Sequence, residues 1–172
     1  MTIVEVMDNV AAFLKDVLKD YTISNGSEMR PVQVYAGWPP IRTDPASKDS
    51  FVYACVTDWE DSLAGDPSSK ATVQIGFSVY DSDFTDGWRH IYNLMETVRQ
   101  ALLSHQTIGG RCWLQTPLKG MLVVDNPQFP NWAGAITAVC LLSVNQLTRS
   151  EETSNGICKK GGGQQARHLY RA

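Results

Sequence analysis

The chain has 172 residues, of which 43% are hydrophobic and 19% charged, and a net charge of −3. This length is that of one domain of about 100–200 residues, and the acidity argues against a free nucleic-acid-binding protein, which usually has a basic domain. Because the start at Met1 lacks the pattern of a signal peptide and no apolar run approaches the roughly 20 residues that cross a bilayer, we expect a chain that stays in the reducing cytoplasm where it is made.

The first predicted element is an amphipathic helix of about 18 residues. Thr2 and Glu5 have the spacing of a capping box, in which each side chain accepts a hydrogen bond from the other residue's backbone N–H. Apolar residues then recur at helical spacing from Ile3 to Tyr21, with charged residues between them. The dipeptide Asn25-Gly26 is typical of a turn and ends this segment.

Three strands are predicted next, at Pro31–Ala36, Phe51–Asp58 and Lys70–Tyr80. The third alternates strictly between apolar and polar residues, which indicates a strand with one face on the core. The loops between them, Gly37–Ser50 and Trp59–Ser69, are longer than the common two to six residues. Each loop carries a tryptophan, and we consider Trp38 and Trp59 candidates for an interface; the alternative is that each folds back on its own domain.

A second helix follows, capped by Thr85 or Asp86, with an apolar stripe that begins at Trp88. Three more strands are predicted at Arg111–Thr116, Gly120–Asp125 and Trp132–Val144. The last is apolar on both faces, which is typical of an interior strand covered on both sides. With only two helices in the chain, part of that cover would come from another subunit.

The element order α-β-β-β-α-β-β-β therefore predicts an α+β fold, in which two helices pack on a mixed, mostly antiparallel sheet. We expect a single domain over residues 1–148 and an extended, polar C-terminal tail over residues 149–172. The tail has a net charge of +3, so residues 1–148 carry −6. Either the tail is solvated or it contacts a neighbouring copy through its basic residues, which are Arg149, Lys159, Lys160, Arg167 and Arg171.

The sequence predicts no catalytic, metal or cofactor site. The acidic run 81–87 fails as a calcium loop, since Asp86 stands where that loop needs glycine. Cys55, Cys112 and Cys140 lie among strand-like apolar residues and are interpreted as small core residues. A Cys–His nucleophile pair, Cys112 with His90 or His105, stays open because such groups assemble in space.

The pattern resembles the tail terminator, or tail-to-head joining, proteins of long-tailed bacteriophages over about residues 1–146. The resemblance rests on the long N-terminal amphipathic helix and the strand that ends in Gly-Trp-Pro-Pro at 37–40. It also rests on the alternating strand 71–80 that runs directly into Asp81-Ser82-Asp83 and a helix, and on the long apolar strand 133–144. It is a likeness of element order and length, and no short motif carries it.

The resemblance implies a ring, expected to be a hexamer, that caps the tail-tube protein and meets a head-completion or neck protein. It implies a virion location after assembly in the host cytoplasm, and no cofactor. Phe129 and Trp132 become further interface candidates, and an acidic body would let genomic DNA pass without specific binding. The alternatives are a tail-tube or tail-completion subunit, and a small cytoplasmic enzyme or ligand-binding domain.

Overall fold

The computed structural model of the protein describes residues 1–24, 28–39, 48–62, 68–123 and 129–142. The two helices in these ranges are α1 (Ile3–Val17) and α2 (Trp88–Ser104). The strands are β1 (Thr22–Ser24), β2 (Met29–Pro31), β3 (Gln33–Ala36), β4 (Phe51–Ser62), β5 (Ser68–Tyr80), β6 (Thr107–Ile108), β7 (Cys112–Leu122) and β8 (Asn131–Leu142).

Six of the strands form one sheet in the order β3-β4-β5-β8-β7-β6. The β3–β4 pair is parallel, and every other pair in this sheet is antiparallel. The short strands β1 and β2 form a separate antiparallel pair. The prediction of an α+β fold with a mixed, mostly antiparallel sheet and two helices is confirmed.

Both helices pack on the same face of the six-stranded sheet, which we call the inner face. The apolar residues that alternate along β5 are all buried there, as predicted from the sequence. They join the stripes of α1 and α2 in one hydrophobic cluster, because burying both stripes removes the most apolar surface from water. Its members include Val6, Val10, Leu14, Val73, Ile75, Phe77, Val79, Ile91, Leu94 and Val98.

The opposite, outer face of the sheet is not covered by any element that the structure describes. On β8, Ile136 and Cys140 are buried on the inner face, whereas Thr137, Val139 and Leu141 are half-buried on the outer one. The strand is interior to the sheet, between β5 and β7, as the apolar pattern predicted. Cover of its outer face by another subunit stays a prediction.

The start of α1 confirms the predicted capping box. Thr2 N–H donates to Glu5 Oε2 at 2.6 Å, and Glu5 N–H donates to Thr2 Oγ1 at 3.2 Å. The backbone donor at Thr2 holds the pKa of the Glu5 carboxyl below its usual value. The helix ends at Val17, earlier than predicted, because Leu18–Asp20 form a turn.

The start of α2 differs from the prediction. Its N-cap is Gly87, not Thr85 or Asp86, and Gly87 has no side chain to cap with. A turn over residues 84–87 precedes the helix, and Asp83 accepts hydrogen bonds from the N–H groups of Thr85 (2.8 Å) and Asp86 (3.1 Å). These N–H groups lower the pKa of Asp83, so the acidic residue that organises this start stands one turn earlier than expected.

Two predicted strand limits are wrong. The predicted loop 59–69 is wrong at both ends, because β4 continues to Ser62 and β5 begins at Ser68, with a register shift between Val56 and Asp58; residues 63–67 lie outside the described residues. No described helix covers this end of the β4–β5 pair, so most of its residues are polar and exposed. The sequence therefore shows no apolar alternation from which the strand could be predicted. The two strands predicted over 111–125 form the single strand β7, with a register shift between Gln115 and Lys119. The short strands β1, β2 and β6 were missed, because two or three residues show no periodicity.

The interpretation of the cysteines needs one correction. Cys112 and Cys140 are fully buried, as expected of core residues, but they form a disulfide between β7 and β8, with 5.5 Å between their Cα atoms. Disulfides are rare in the cytosol and common on secreted and virion surfaces. Cys55 is a free, buried thiol, and burial raises its pKa.

We expect the denatured, unreduced protein to expose two thiols fewer than the same sample after reduction, because Cys112 and Cys140 are joined. Thiol titration in denaturant, before and after treatment with a reductant, measures the difference. In the control variant Cys140→Ala, Cys112 has no partner, so the difference in thiol count between the unreduced and reduced samples should disappear. Equal thiol counts in the unreduced and reduced wild type would show that the bond does not form.

Candidate protein-interaction surfaces

The sequence-predicted interface residues lie in different parts of the structure. Trp38 is 75% exposed at the end of β3, and Trp59, which lies in β4 opposite Ala71, is 59% exposed. Phe129 and Trp132 lie together at the start of β8. The predicted domain boundary at residue 149 and the five basic candidates lie outside the described residues: Arg149, Lys159, Lys160, Arg167 and Arg171.

Four aromatic side chains cluster on the outer face of β3 and β4, and we call them the outer aromatic patch: Tyr35, Trp38, Phe51 and Tyr53. Trp38 stacks on Tyr53 with 5.9 Å between the ring centroids, and Tyr35 meets Phe51 edge to face at 6.1 Å. Parallel pairing of β3 with β4 puts Tyr35 opposite Tyr53 and so joins the two pairs. Trp38 is exposed and the other three are half-buried, and stacked aromatic rings that keep part of their surface open to solvent are typical of protein interfaces.

The neighbouring strand shapes this patch. Gly76 of β5 stands opposite Tyr53 in the β4–β5 register, and the Tyr53 ring lies across it, where a Cβ atom at Gly76 would overlap the ring. Packing against the sheet raises the pKa of the Tyr53 hydroxyl through desolvation. The absent side chain at Gly76 therefore lets Tyr53 lie flat and offer its ring to Trp38.

A second apolar surface lies on the other side of the molecule, between the start of α2 and the ends of β7 and β8. It is a groove of about 460 Å³, which we call the aromatic groove. Phe84, Tyr92 and Phe129 are 76%, 50% and 47% exposed, although they are large apolar side chains. The groove is lined by Phe84, Trp88, Tyr92, Leu122, Phe129 and Trp132, among others.

Ring contacts hold the walls of the groove. Phe84 meets Phe129 edge to face at 5.6 Å, and Trp88 meets Tyr92 at 5.7 Å. The Arg89 guanidinium lies 4.6 Å from the centroid of the Trp88 ring, a cation–π contact. Trp132 is half-buried and packs against the core cluster, so it forms a wall of the groove while Phe129 stands at its rim.

Polar contacts fix the turn that carries Phe84. The Asp81 carboxylate is buried and hydrogen-bonds the His90 ring of α2. The backbone N–H of Asp81 donates to the carbonyl oxygen of Pro130 at 2.9 Å, and the N–H of Asp83 donates to Asp81 Oδ1 at 2.8 Å. Through this contact His90 ties α2 to the end of β5.

The groove continues along α2 and β7 as a second cavity of about 490 Å³. Gly120 and Leu118 line it from the strand, and Glu96 and Arg99 line it from the helix. Arg99 donates two hydrogen bonds to the Glu96 carboxylate, both at 2.7 Å, and Gln100 donates a third. This middle stretch is therefore polar on one wall and apolar on the other.

The Arg99 guanidinium, together with Gln100, lowers the pKa of Glu96 from 4.5 to about 2. We expect an NMR titration of the Glu96 side chain to show this value, with the contact complete above pH 4.5 and lost as the pH falls through about 2. Arg99→Ala should return the pKa toward 4.5. The control Arg89→Ala removes an arginine paired elsewhere, with Asp86, and should leave Glu96 unchanged. An unshifted pKa in the wild type would contradict the contact.

The open question of a Cys–His nucleophile is settled against Cys112, whose sulfur is in the disulfide. Within the described ranges, no group of three or more His, Cys, Asp or Glu side chains is placed to hold a metal ion. No described helix is both long and apolar enough to span a membrane. The arrangement offers exposed apolar surface, which suits protein contacts.

Sequence reasoning missed the aromatic groove. Phe84 and Tyr92 were not singled out, and Trp88 was interpreted as part of the core stripe of α2. The available signal is spacing, since Phe84, Trp88 and Tyr92 stand four residues apart and so project from one side of a helix and its entry turn. Trp88 is 37% exposed, because its position lies at the border of the stripe.

Comparisons with known proteins returned no matching family model and no matching curated protein. A chain in a solved structure described as the virion of a native gene transfer agent particle is similar to this chain over 81% of its length and 91% of that chain. The identity is 13% and the TM-score 0.40. A TM-score this low does not establish that the two chains share a fold.

Proposed function

We propose that the protein is a virion structural subunit of a long-tailed bacteriophage, of the tail terminator class. It forms a hexameric ring that ends the tail tube and presents its other side to a head-completion or neck protein. The observation that carries this proposal is the pair of uncovered aromatic surfaces, the outer aromatic patch and the aromatic groove. A chain with two such surfaces on different sides can join two kinds of neighbour at once.

A closed ring requires two different contact surfaces on each subunit. A closed ring is built from heterologous contacts, in which one surface of a subunit meets a different surface of the next. The sheet also has two different edges, β3 on one side and β7 with the two-residue β6 on the other. Contacts within the ring can therefore use the edges and the groove, while the outer aromatic patch with Trp38 meets the adjacent tail-tube ring.

A tail-tube subunit is the nearest alternative. Tube subunits stack through a long insertion loop, and two segments were candidates for it. Of the first candidate, 59–69, only a part is left to connect the two strands, because β4 and β5 pair as far as Ser62 and Ser68. The other candidate, 37–50, lies partly outside the described residues. The connection between β4 and β5 is thus only the five residues 63–67, and this short connection favours the terminator role over the tube role.

A ligand-binding domain or enzyme is the second alternative, and the aromatic groove is the feature that favours it. Its volume of about 460 Å³ falls in the range of about 300–1,000 Å³ common for small-molecule sites. Such a site needs convergent polar or reactive groups, yet the thiol with a raised pKa, Cys55, lies on β4, away from the groove. The lining is almost wholly apolar, which suits a protein side chain better.

Capping of tail tubes tests the proposal. We expect the full-length protein, added while purified tail-tube protein polymerises, to give shorter tubes with a ring at one end in negative-stain images. Bovine serum albumin at the same concentration is the control for crowding. Tubes of unchanged length without added density at their ends would overturn the terminator role.

A further inference from the structure

The outward edge of β7 is open over most of its length. The strand pairs with β8 on one side and with the two-residue β6, at Cys112 and Trp113, on the other. Beyond Leu114, whose N–H donates to the Gln106 carbonyl, no described residue pairs with this edge. An unpaired strand edge is a template for a further strand.

The register shows which backbone groups are free to pair. Val123 N–H donates to the Ala133 carbonyl oxygen at 3.0 Å, so Met121, two residues back, also bonds toward β8 opposite Ala135. Antiparallel ladders alternate, and the N–H and C=O groups of Gly120 and Leu122 therefore point to the open edge. An added strand would hydrogen-bond to these two residues.

A cleft that can accept side chains lies beside this edge. The second cavity and the aromatic groove share Tyr92 and Leu122 and so form one cleft between α2 and β7. Gly120 contributes no side chain to its floor, and a Cβ atom there would have no neighbour closer than 3.8 Å. A strand added to β7 would place every second side chain in this cleft.

We infer that the occupant is residues 166–171 of a second copy of the chain, added to β7 as an extra strand with Leu169 in the cleft. This inference deepens the proposed function and rests on it, since it names the contact that joins neighbours in the ring. The segment reads Ala-Arg-His-Leu-Tyr-Arg. Leu169 is flanked two residues away on either side by Arg167 and Arg171, which in an extended strand share its face.

Charge favours this contact. Residues 149–172 carry +3 and residues 1–148 carry −6, so the segment is attracted to the body of any copy. The cleft wall on α2 holds Glu96 and Arg99, which pair with each other. The attraction therefore comes from the net charge of residues 1–148 and not from this wall.

Chain length permits the contact between copies. β8 ends at Leu142, and the 23 residues 143–165 separate it from the segment. A chain of that length spans at most about 80 Å. A compact subunit of this length has a radius of gyration of about 16 Å, so this span exceeds the width of one subunit and the segment is long enough to cross to the next.

The test uses two full-length variants, one on each side of the contact. Leu169→Asp puts a charge on the side chain that would enter the cleft. Gly120→Phe fills the floor of the cleft without a close clash at Cβ. We expect each variant to be monomeric where the wild type forms rings. Gln164→Asp, which makes the same change of charge five residues from the anchor, is the control and should still form rings. Circular dichroism checks that all variants are folded.

Mixing the two variants decides whether the contact joins different copies. The Gly120→Phe chain keeps an intact segment and the Leu169→Asp chain keeps an intact cleft, so together they should form a dimer and no larger ring. Native mass spectrometry resolves the two species. Docking of the segment on its own chain would give no such dimer, and this result would overturn the inference.

Hydrogen exchange supplies the readout specific to strand addition. We expect the amides of Gly120 and Leu122 to be protected in the assembled wild type and to exchange at least tenfold faster in Leu169→Asp. Rings that form in Leu169→Asp, or equal exchange in both proteins, would overturn the inference while leaving the proposed ring intact. A wild type that forms no ring, alone or on tail tubes, would remove the proposed function as well.

Discussion

Replacing Phe77 with alanine should lower the free energy of unfolding by about 3–5 kcal/mol, the usual cost of deleting a buried phenyl group. Phe77 is 2% exposed and lies on β5 between two paired strands, opposite Val52 on β4 and Gly134 on β8. Because these neighbours lie on paired strands, they cannot move in to fill the space. The loss therefore includes the cavity as well as the transfer free energy.

Urea unfolding of the two proteins measures the change, with an unchanged slope showing that the transition stays two-state. Phe84→Ala is the matched control, because the same side chain is removed where it is 76% exposed, and surface changes stay within about 0.5 kcal/mol. A cost below about 1 kcal/mol at Phe77 would mean that the two-helix core on the inner face is wrongly described.

Trp38→Ala should weaken binding to the end of the tail tube by at least about 2 kcal/mol, roughly 30-fold in Kd, since exposed tryptophans often dominate interfaces. The side chain is 75% exposed and stacks on Tyr53, so it is held in place before binding. Ring formation itself should persist, because Trp38 lies on the outer face, away from the β7 edge.

Co-sedimentation with tail tubes over a concentration series gives the Kd. Met29→Ala, at a residue 64% exposed on β2, is the control for a removed apolar side chain and should bind like the wild type. If Trp38→Ala also binds like the wild type, the outer aromatic patch does not face the tube.

Long periodic elements of the fold were predictable from sequence. The predicted strand Lys70–Tyr80 shows its two faces in strict alternation within β5, and the Thr2–Glu5 spacing identified the start of α1. Both signals are local, so they need no knowledge of distant residues. The end of β4 was missed because its exposed residues near Asp58 and Trp59 have no apolar alternation, and pairing with β5 alone maintains the strand.

The candidate surfaces were predictable only in part. Trp38 and Phe129 were predicted as interface candidates, but the aromatic partners that they contact, Tyr53 and Phe84, come from other elements. The disulfide between Cys112 and Cys140 was missed for the same reason, since the two residues lie 28 positions apart and meet only through the β7–β8 pairing. Contacts that depend on strand order are absent from local sequence patterns.

The native mass of the full-length protein, measured with negative-stain images of the same sample, tests the central claim most directly. Six subunits of 19.0 kDa give a ring of about 114 kDa, and we expect this species alone or on the ends of added tail tubes. A protein that stays monomeric at all concentrations and binds no tube would contradict the account.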